Sequence, residues 1–331
     1  MKKNLTLVLS FLFLLTACAN NYIPEAKVTF KVVDMHGNPI PNEDAALGFS
    51  PTIGFYGKTD KDGFFTGRGR TESDYVFSIA QGSNKYYRTR FSKQIADWKN
   101  YPEDGKWKPW NETIEIVVKE KIKPISMYAR SGAHLPKTIP RLDEWIGYDF
   151  EKDDWLSPDG IGVIADVELL LVEIHKPDIE EKHLKMRFPY PKSGAFFMKK
   201  DLNSELASIY HADTTANYQN EIIFKDIYVK KGDNFYSLPN SSVLLRKDDY
   251  LIFRTRTKVD ENGNLLEARY GKIYGPVEFH LFKDENDCVT VKQIRMRYHL
   301  NPTANDTNLE CNGKSLVERK NVKERRFPIS P

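Results

Sequence analysis

The sequence predicts an all-β fold built from two tandem antiparallel β-sandwich domains with little helix. Short runs of β-branched and aromatic residues, such as 28–33, alternate with clusters of turn residues, which is typical of half-buried strands. Residues 200–210 form the one stretch whose pattern suggests a helix. Pro124, Pro136 and Pro140 crowd into one segment between two strand-rich halves, and 331 residues give room for two average domains.

The composition excludes several classes of protein. Hydrophobic residues make up 40% and charged residues 29% of the chain, as in globular rather than disordered proteins. Lys and Arg number 49 against 46 Asp and Glu, and the net charge of +3 gives no reason to expect a nucleic-acid partner. The only long apolar run lies at the start of the chain, which excludes a protein with several membrane-spanning helices.

The N-terminus has the pattern of a secretory leader. Two lysines at 2–3 precede an apolar core at 5–15, which is too short to cross a bilayer but fits a signal peptide. The following Leu-Thr-Ala-Cys at 15–18 resembles the bacterial lipoprotein box. The resemblance implies a signal peptide over 1–17, acylation of Cys18 with lipid chains such as palmitate, and a lipidated tether over 18–26. An ordinary signal peptide that happens to end in a cysteine is the alternative.

The same resemblance implies a cellular location for the protein and a membrane as its partner. A lipidated Cys18 anchors the mature chain to a membrane of the bacterial cell envelope, since two or three acyl chains do not readily dissociate. Residues 19–20 are Ala-Asn, without the aspartate that favours retention in the inner membrane of enteric bacteria. We therefore expect the outer membrane, with the protein on its periplasmic or surface face.

Two further cysteines remain once Cys18 is assigned to the lipid. An even pair in an oxidising compartment predicts a disulfide between Cys288 and Cys311, and two separate reduced thiols are the alternative. Two sulfurs without CxxC spacing, and histidines without HExxH spacing, do not favour zinc. We therefore expect no metal site and no cofactor.

The first strand-rich half resembles a known family. A strand at 28–33 leads into D-x-x-G-x-P-I-P at 34–41, T-D-x-D-G-x-F at 59–65, Y-x-F at 75–77 and paired tyrosines at 86–87. This order resembles the carboxypeptidase-regulatory-like, or transthyretin-like, family. The resemblance implies a small Greek-key β-sandwich and brings no peptidase residues with it.

The domain boundaries follow from these patterns. The first sandwich is expected over 27–121, a proline-marked linker over 122–144, a second sandwich or jelly roll over 145–312, and a charged C-terminal tail over 313–331. No family resemblance is found for the second half. Its strands are expected at 162–174, 221–229, 250–259, 265–282 and 289–300, with a hairpin turn at 260–264.

Candidate binding residues lie in an aromatic stretch of the first half. Trp98, Tyr101, Trp107 and Trp110 lie within thirteen positions of one another, and tryptophan and tyrosine are frequent anchors of binding sites. They either present rings to a glycan or protein partner, or fold back and pack on their own sandwich.

No sequence motif of catalysis accompanies these rings. There is no G-x-S-x-G elbow and no glycine-rich phosphate loop, so no catalytic residue is predicted. The sequence therefore predicts a membrane-anchored, non-enzymatic binding or structural module for a glycan or an envelope protein. A subunit of a larger envelope assembly and a hydrolase with a site between the domains are the alternatives.

Overall fold

The structure is a computed structural model that describes residues 23–49, 53–96, 100–131, 135–231, 234–237, 245–283, 289–318 and 331. Within these ranges the chain forms strands, turns and bends, and no helix. No helix in the described residues is long and apolar enough to cross a membrane. The fold class is therefore all-β, as predicted.

The chain divides into two compact units, Met1–Lys121 and Ile122–Pro331. The segment 122–144, which the sequence marks as a linker, begins the second unit and contributes two of its strands. Pro124 and Pro136 directly precede these strands and Pro140 follows them. The prolines therefore delimit strands rather than interrupt them, since proline is tolerated at a strand end but not within a ladder.

The described part of the first unit is a sandwich of a three-stranded and a four-stranded sheet. Its strands are β1 (Glu25–Val33), β2 (Asp44–Phe49), β3 (Ile53–Lys58), β4 (Phe64–Arg70), β5 (Asp74–Ile79), β6 (Thr89–Gln94) and β7 (Glu112–Val117). The sheet orders are β4-β1-β7 and β3-β2-β5-β6, and all pairs are antiparallel except β1 with β7.

Alternation along the strands builds the core of this sandwich. In β1, Val28, Phe30 and Val32 point inward and are buried, as the period of two requires. Phe30 of one sheet stacks on Phe77 of the other, with ring centroids 4.0 Å apart. The turn at 59–65 forms as predicted: Asp60 Oδ1 accepts the backbone N–H groups of residues 62 and 64.

The second unit is a larger sandwich. Its described strands are β8 (Ile125–Arg130), β9 (Lys137–Thr138), β10 (Ile146–Asp149), β11 (Asp154–Trp155), β12 (Val167–Lys176), β13 (Ile179–Arg187), β14 (Gly194–Lys199), β15 (Glu221–Lys231), β16 (Asn234–Ser237), β17 (Asp249–Val259), β18 (Leu265–Lys283), β19 (Val289–Leu300) and β20 (Cys311–Ser315). As far as described, one sheet has the order β11-β10-β12-β13-β15-β16 and the other β14-β17-β18-β19-β8-β20, with β9 beside β19. The pairs are antiparallel except β8 with β20.

One core lies between the two sheets and a smaller one lies outside them. The main core joins Leu169 and Phe224 of the first sheet to Phe253 and Met296 of the second. The smaller core covers the opposite face of the β17–β18 pair, where residues from 207–218 and Leu309 pack on tyrosines of the sheet.

Two local expectations differ from the structure in this unit. Residues 200–210 form bends rather than a helix, because Asp201 Oδ1 caps the N–H groups of residues 203 and 204 and Leu206 is drawn into a buried position. The expected tail 313–331 begins within β20, which pairs with β8. Residues 200–210 and the described start of the tail are both held by tertiary contacts, which a local sequence pattern cannot predict.

Candidate functional site

The aromatic stretch of the first unit does not form a row of exposed rings. Trp107 is buried, and its indole Nε1–H donates to the backbone oxygen of Thr71 at 2.8 Å. Trp110 is half-buried, with the ammonium of Lys106 5.1 Å from its ring centre. Tyr101 is 70% exposed. The structure thus gives Trp107 a packing role in place of ligand binding, and it leaves Tyr101 available.

Three of the predicted site residues lie outside the described residues. These are Trp98, the lipidation residue Cys18 and the disulfide residue Cys288. Their roles stay predictions.

Cys311 is a buried, free thiol that packs with Met127 and Ala129. Its predicted partner Cys288 lies outside the described residues. The described residues contain no disulfide at Cys311. Because Cys288 is not among them, the predicted pairing stays a prediction.

The second unit contains a buried cluster of one arginine and three carboxylates. Arg256 Nε and Nη2 each donate to Asp166 at 2.8 Å, Nη1 donates to Glu151 at 2.6 Å, and Nη2 also reaches Asp149 at 3.1 Å. The Arg256 side chain is 10% exposed and that of Asp166 is fully buried. Such a two-pronged pairing is among the strongest polar contacts in proteins.

The backbone at Arg256 departs from regular strand geometry. Its φ of 50° lies in the left-handed region, and the pairing of β17 with β18 shifts register between Thr255 and Lys258. A bulge re-aims side chains and is frequent beside binding sites, and a non-glycine residue in this region persists only when its surroundings hold it there. Here the three carboxylates hold it.

Burial and ion pairing shift the pKa of Asp166 in opposite directions. Burial raises the pKa of Asp166 to about 6, although the Arg256 guanidinium and the Phe150 N–H oppose the rise. Because this carboxyl group is sealed from solvent, it serves the fold rather than a ligand.

Asp149 fixes two loops at the edge of the cluster. Its Oδ1 accepts the N–H of Glu151 at 2.9 Å, and its Oδ2 accepts those of Val163 and Ile164 at 2.9 and 3.2 Å. The strand expected at 162–174 therefore starts only at Val167, because Asp149 captures N–H groups that a ladder would use. A Cβ at Gly162 would lie 2.7 Å from a backbone oxygen, so the close approach of this loop requires glycine.

A pocket of about 330 Å³ lies beside this cluster. Its lining residues are Tyr128, Glu151, Lys152, Ile161, Leu316 and Glu318. Burial, with a smaller contribution from the Glu151 carboxylate, raises the pKa of Tyr128. The pocket thus combines an aromatic ring, two carboxylates, an ammonium group and two aliphatic side chains.

Two of the residues that line this pocket are held by hydrogen bonds. Glu151 accepts from both Arg256 and Arg269, and the Ile161 N–H donates to Asp154 at 3.1 Å. A site whose side chains are fixed before a ligand arrives loses less entropy on binding.

A second buried network anchors the strand that carries Tyr128. Arg130, two residues further along β8, donates to Asp153 Oδ2 at 2.7 Å. The hydroxyls of Tyr148 and Tyr298 donate to the other oxygen of Asp153 at 2.7 and 3.0 Å. Burial, followed by the charge of Asp153, raises the pKa of both tyrosines well above the usual value. These phenols therefore stay protonated and keep donating.

The residues of this site were not predicted from the sequence. The available signal was a charge embedded in an apolar strand: Arg256 follows the run at 250–253, and Asp149 lies between two aromatic residues. A charge at such a position is rarely buried without a partner. The identity of that partner depends on contacts between strands about a hundred residues apart.

Comparisons with known proteins give no family. No family model matches the chain, and no curated protein matches it. A crystal structure of a DUF3823 family protein from Parabacteroides merdae is similar with 9% identity and a TM-score of 0.20, covering 83% of this chain and 98% of that one. The major pilin subunit BcpA of Bacillus cereus is similar with 11% identity and a TM-score of 0.23, covering 81% and 95%. Likenesses at this level carry no argument about this chain, whose class, an all-β protein of two sandwiches, follows from its own sheets.

Proposed function

We propose that this protein is a lipid-anchored, non-enzymatic binding module of the bacterial envelope, and that its second unit holds a sugar in the pocket beside Tyr128. The observation that carries the proposal is the pocket of about 330 Å³ next to the Arg256 cluster, one wall of which is formed by the doubly bonded Glu151. This volume is at the lower end of small-molecule sites, which suits one or two sugar rings.

The chemistry of the lining favours a polyhydroxylated ligand. The ring of Tyr128 and the side chains of Ile161 and Leu316 offer apolar surface to one face of a sugar. Glu151 and Glu318 can accept hydrogen bonds from hydroxyl groups, and Lys152 can donate one. Three charged side chains and three aromatic or aliphatic ones thus share the lining.

The carboxylates of the cluster favour binding over catalysis. Asp166 is sealed from solvent, and Glu151 Oε1 is shared between Arg256 and Arg269. A general acid or base needs access to the proton that it transfers, and these groups hold structure instead.

The anchor and the address rest on sequence. The lipoprotein-like residues at 15–18 support acylation of Cys18, and the transthyretin-like motifs at 34–41 and 59–65 support a β-sandwich domain that follows the anchor in the chain. Mass spectrometry of the native protein is expected to find a diacylglyceryl group on Cys18, and Cys18→Ser is expected to release the chain from membranes. An intact leader in the native protein would refute this part.

Sugar binding is tested with the full chain carrying Cys18→Ser. A glycan array identifies ligands, and calorimetry then compares Tyr128→Ala and Glu318→Gln with the parent. Each variant is expected to weaken binding at least tenfold, which is about 1.4 kcal/mol. Tyr101→Ala is the matched control, because this exposed tyrosine belongs to the first unit. Equal affinities in all four proteins, or no glycan ligand, would refute the proposed site.

A protein partner is the second candidate, and one loop favours it. Ile161, Val163 and Ile164 are 55%, 72% and 39% exposed within four positions of the chain. Adjacent exposed aliphatic residues are typical of a contact surface. A photo-reactive residue at Val163 is expected to give a discrete adduct in the native envelope, and one at the exposed Lys61 is expected to give none. Identical adduct patterns would exclude this candidate.

A further inference from the structure

The inward face of one sheet of the second unit changes from apolar to polar along its strands. On β12, Val167, Leu169 and Leu171 alternate into the core. The same alternation continues to Glu173 and His175, which therefore lie on the same face beyond the end of the core. Polar groups on the core side of a sheet are unusual enough to need an explanation.

The neighbouring strands continue this polar face. His175 is paired with Glu180 of β13, and Glu180 with Tyr228 of β15. One step along, Glu173 is paired with Lys182, and Lys182 with Asp226. The antiparallel register therefore brings two three-residue rows together on adjacent positions of one face.

Three of these side chains converge. One carboxylate oxygen from each of Glu173 and Glu180 and one ring nitrogen of His175 all lie within 4.8 Å of one another. His175 Nε2 is 3.3 Å from Glu173 Oε2. A tetrahedral zinc ion with bonds of 2.0–2.1 Å needs ligand atoms about 3.3–3.4 Å apart, so this pair already has the required spacing.

The charges around the cluster suit a dication. Three carboxylates, those of Glu173, Glu180 and Asp226, face one ammonium, that of Lys182, which lies 3.1 Å from Glu180. With a neutral imidazole the group carries a formal charge of −2. The Lys182 ammonium also lies 4.8 Å from the ring centre of Tyr228, so it keeps a second partner if Glu180 turns to a metal.

We infer that Glu173, His175 and Glu180 form a binding site for a divalent transition-metal ion of the zinc class. Calcium and magnesium prefer oxygen ligands alone, so a set that mixes nitrogen and oxygen favours a zinc-like ion instead. Three protein ligands leave the fourth position of a tetrahedral ion for water or a partner's side chain. The site differs from the sequence-based expectation of no metal. It is separate from the pocket, since His175 lies about 27 Å along β12 from Val167, which adjoins the Arg256 cluster.

The cluster of Glu173, His175 and Glu180 could not be predicted from a local sequence motif. Glu173 and His175 are two residues apart, a spacing that places both on one face of a strand but on different faces of a helix. The third ligand comes from the next strand, and its pairing depends on the register of the hairpin.

The inference is tested by isothermal titration calorimetry, in which zinc is added to the full chain carrying Cys18→Ser after treatment with a chelator. One equivalent is expected to bind with a dissociation constant in the micromolar range. His175→Ala and Glu173→Gln are expected to weaken this binding at least tenfold, and Lys182→Met to tighten it several-fold by removing a competing charge. His36→Ala, which removes an exposed histidine of the first unit, is the matched control and should bind like the parent.

A second readout separates metal binding from a folding defect. His175 is 57% exposed at its side chain, so His175→Ala should match the parent in unfolding temperature without metal. Zinc should raise that temperature for the parent and His36→Ala, and should not raise it for His175→Ala. Absence of stoichiometric zinc binding, or binding that His175→Ala leaves unchanged, overturns the inference and leaves a cross-strand ion-pair cluster.

Discussion

Replacing Arg256 by methionine tests the cluster beneath the pocket. The change removes donors from Asp166, Asp149 and Glu151 together. Glu151 keeps Arg269, and Asp149 keeps backbone N–H groups, but fully buried Asp166 loses the two-pronged partner that compensated its charge. Breaking one side of a buried pair costs about 3–5 kcal/mol. We expect Arg256→Met to lower the unfolding free energy of the second unit by that amount.

The matched control is the double variant Arg256→Met with Asp166→Asn. It removes the uncompensated charge, and methionine retains the Cβ at the same backbone position, so the local strain is equal in both variants. We expect the double variant to recover at least about 1–2 kcal/mol over the single variant. Denaturant unfolding followed by circular dichroism and tryptophan fluorescence measures both. A loss below 1 kcal/mol, or a double variant no more stable than the single one, would refute the reasoning.

The pKa of Asp166 gives the next prediction. Folding raises this pKa to about 6, so the folded protein binds the proton more tightly than the unfolded chain does. Proton binding by Asp166 therefore stabilises the fold below about pH 4, and this contribution is lost as the pH rises through 6. The unfolding free energy of the parent minus that of Asp166→Asn should thus fall by about 2 kcal/mol between pH 4 and 6.5, and a flat difference contradicts the assigned burial. Cys311, whose thiol pKa burial raises, should react slowly with a thiol reagent in the folded chain and rapidly after unfolding without reductant, whereas a disulfide would need reductant. Trp107→Phe should lower the free energy of unfolding by about 1–3 kcal/mol, because the Thr71 oxygen loses its hydrogen-bond donor. Tyr101→Ala should change it by no more than about 0.5 kcal/mol, because this ring is exposed. Equal effects of the two variants in denaturant unfolding would contradict the burial of Trp107.

The all-β fold was predictable because its strands and turns have recognisable local sequence patterns. The hairpin at 260–264 forms as expected, with Asp260 Oδ1 accepting the N–H groups of residues 262 and 264. Strands 250–259 and 265–282 flank it nearly as predicted, as β17 and β18. In each of these segments the side-chain period and the turn residues agree, and local consistency of this kind is what sequence patterns can detect.

The pocket was not predictable because its residues meet only through tertiary pairing. Tyr128, Glu151 and Leu316 come from three distant parts of the chain, and β8 joins β20 in a parallel pair that no short-range pattern specifies. For the aromatic stretch of the first unit the sequence left two interpretations open. Trp107 follows the second and folds back on its own sandwich, because it has a hydrogen-bond acceptor there and packs in the core.

The most direct test of the proposed function is a crystal structure of the chain with its tightest-binding sugar. We expect the sugar in the pocket, with one ring face against Tyr128 and its hydroxyl groups within hydrogen-bonding distance of Glu151 or Glu318. A sugar bound elsewhere, with this pocket left to solvent, would contradict it.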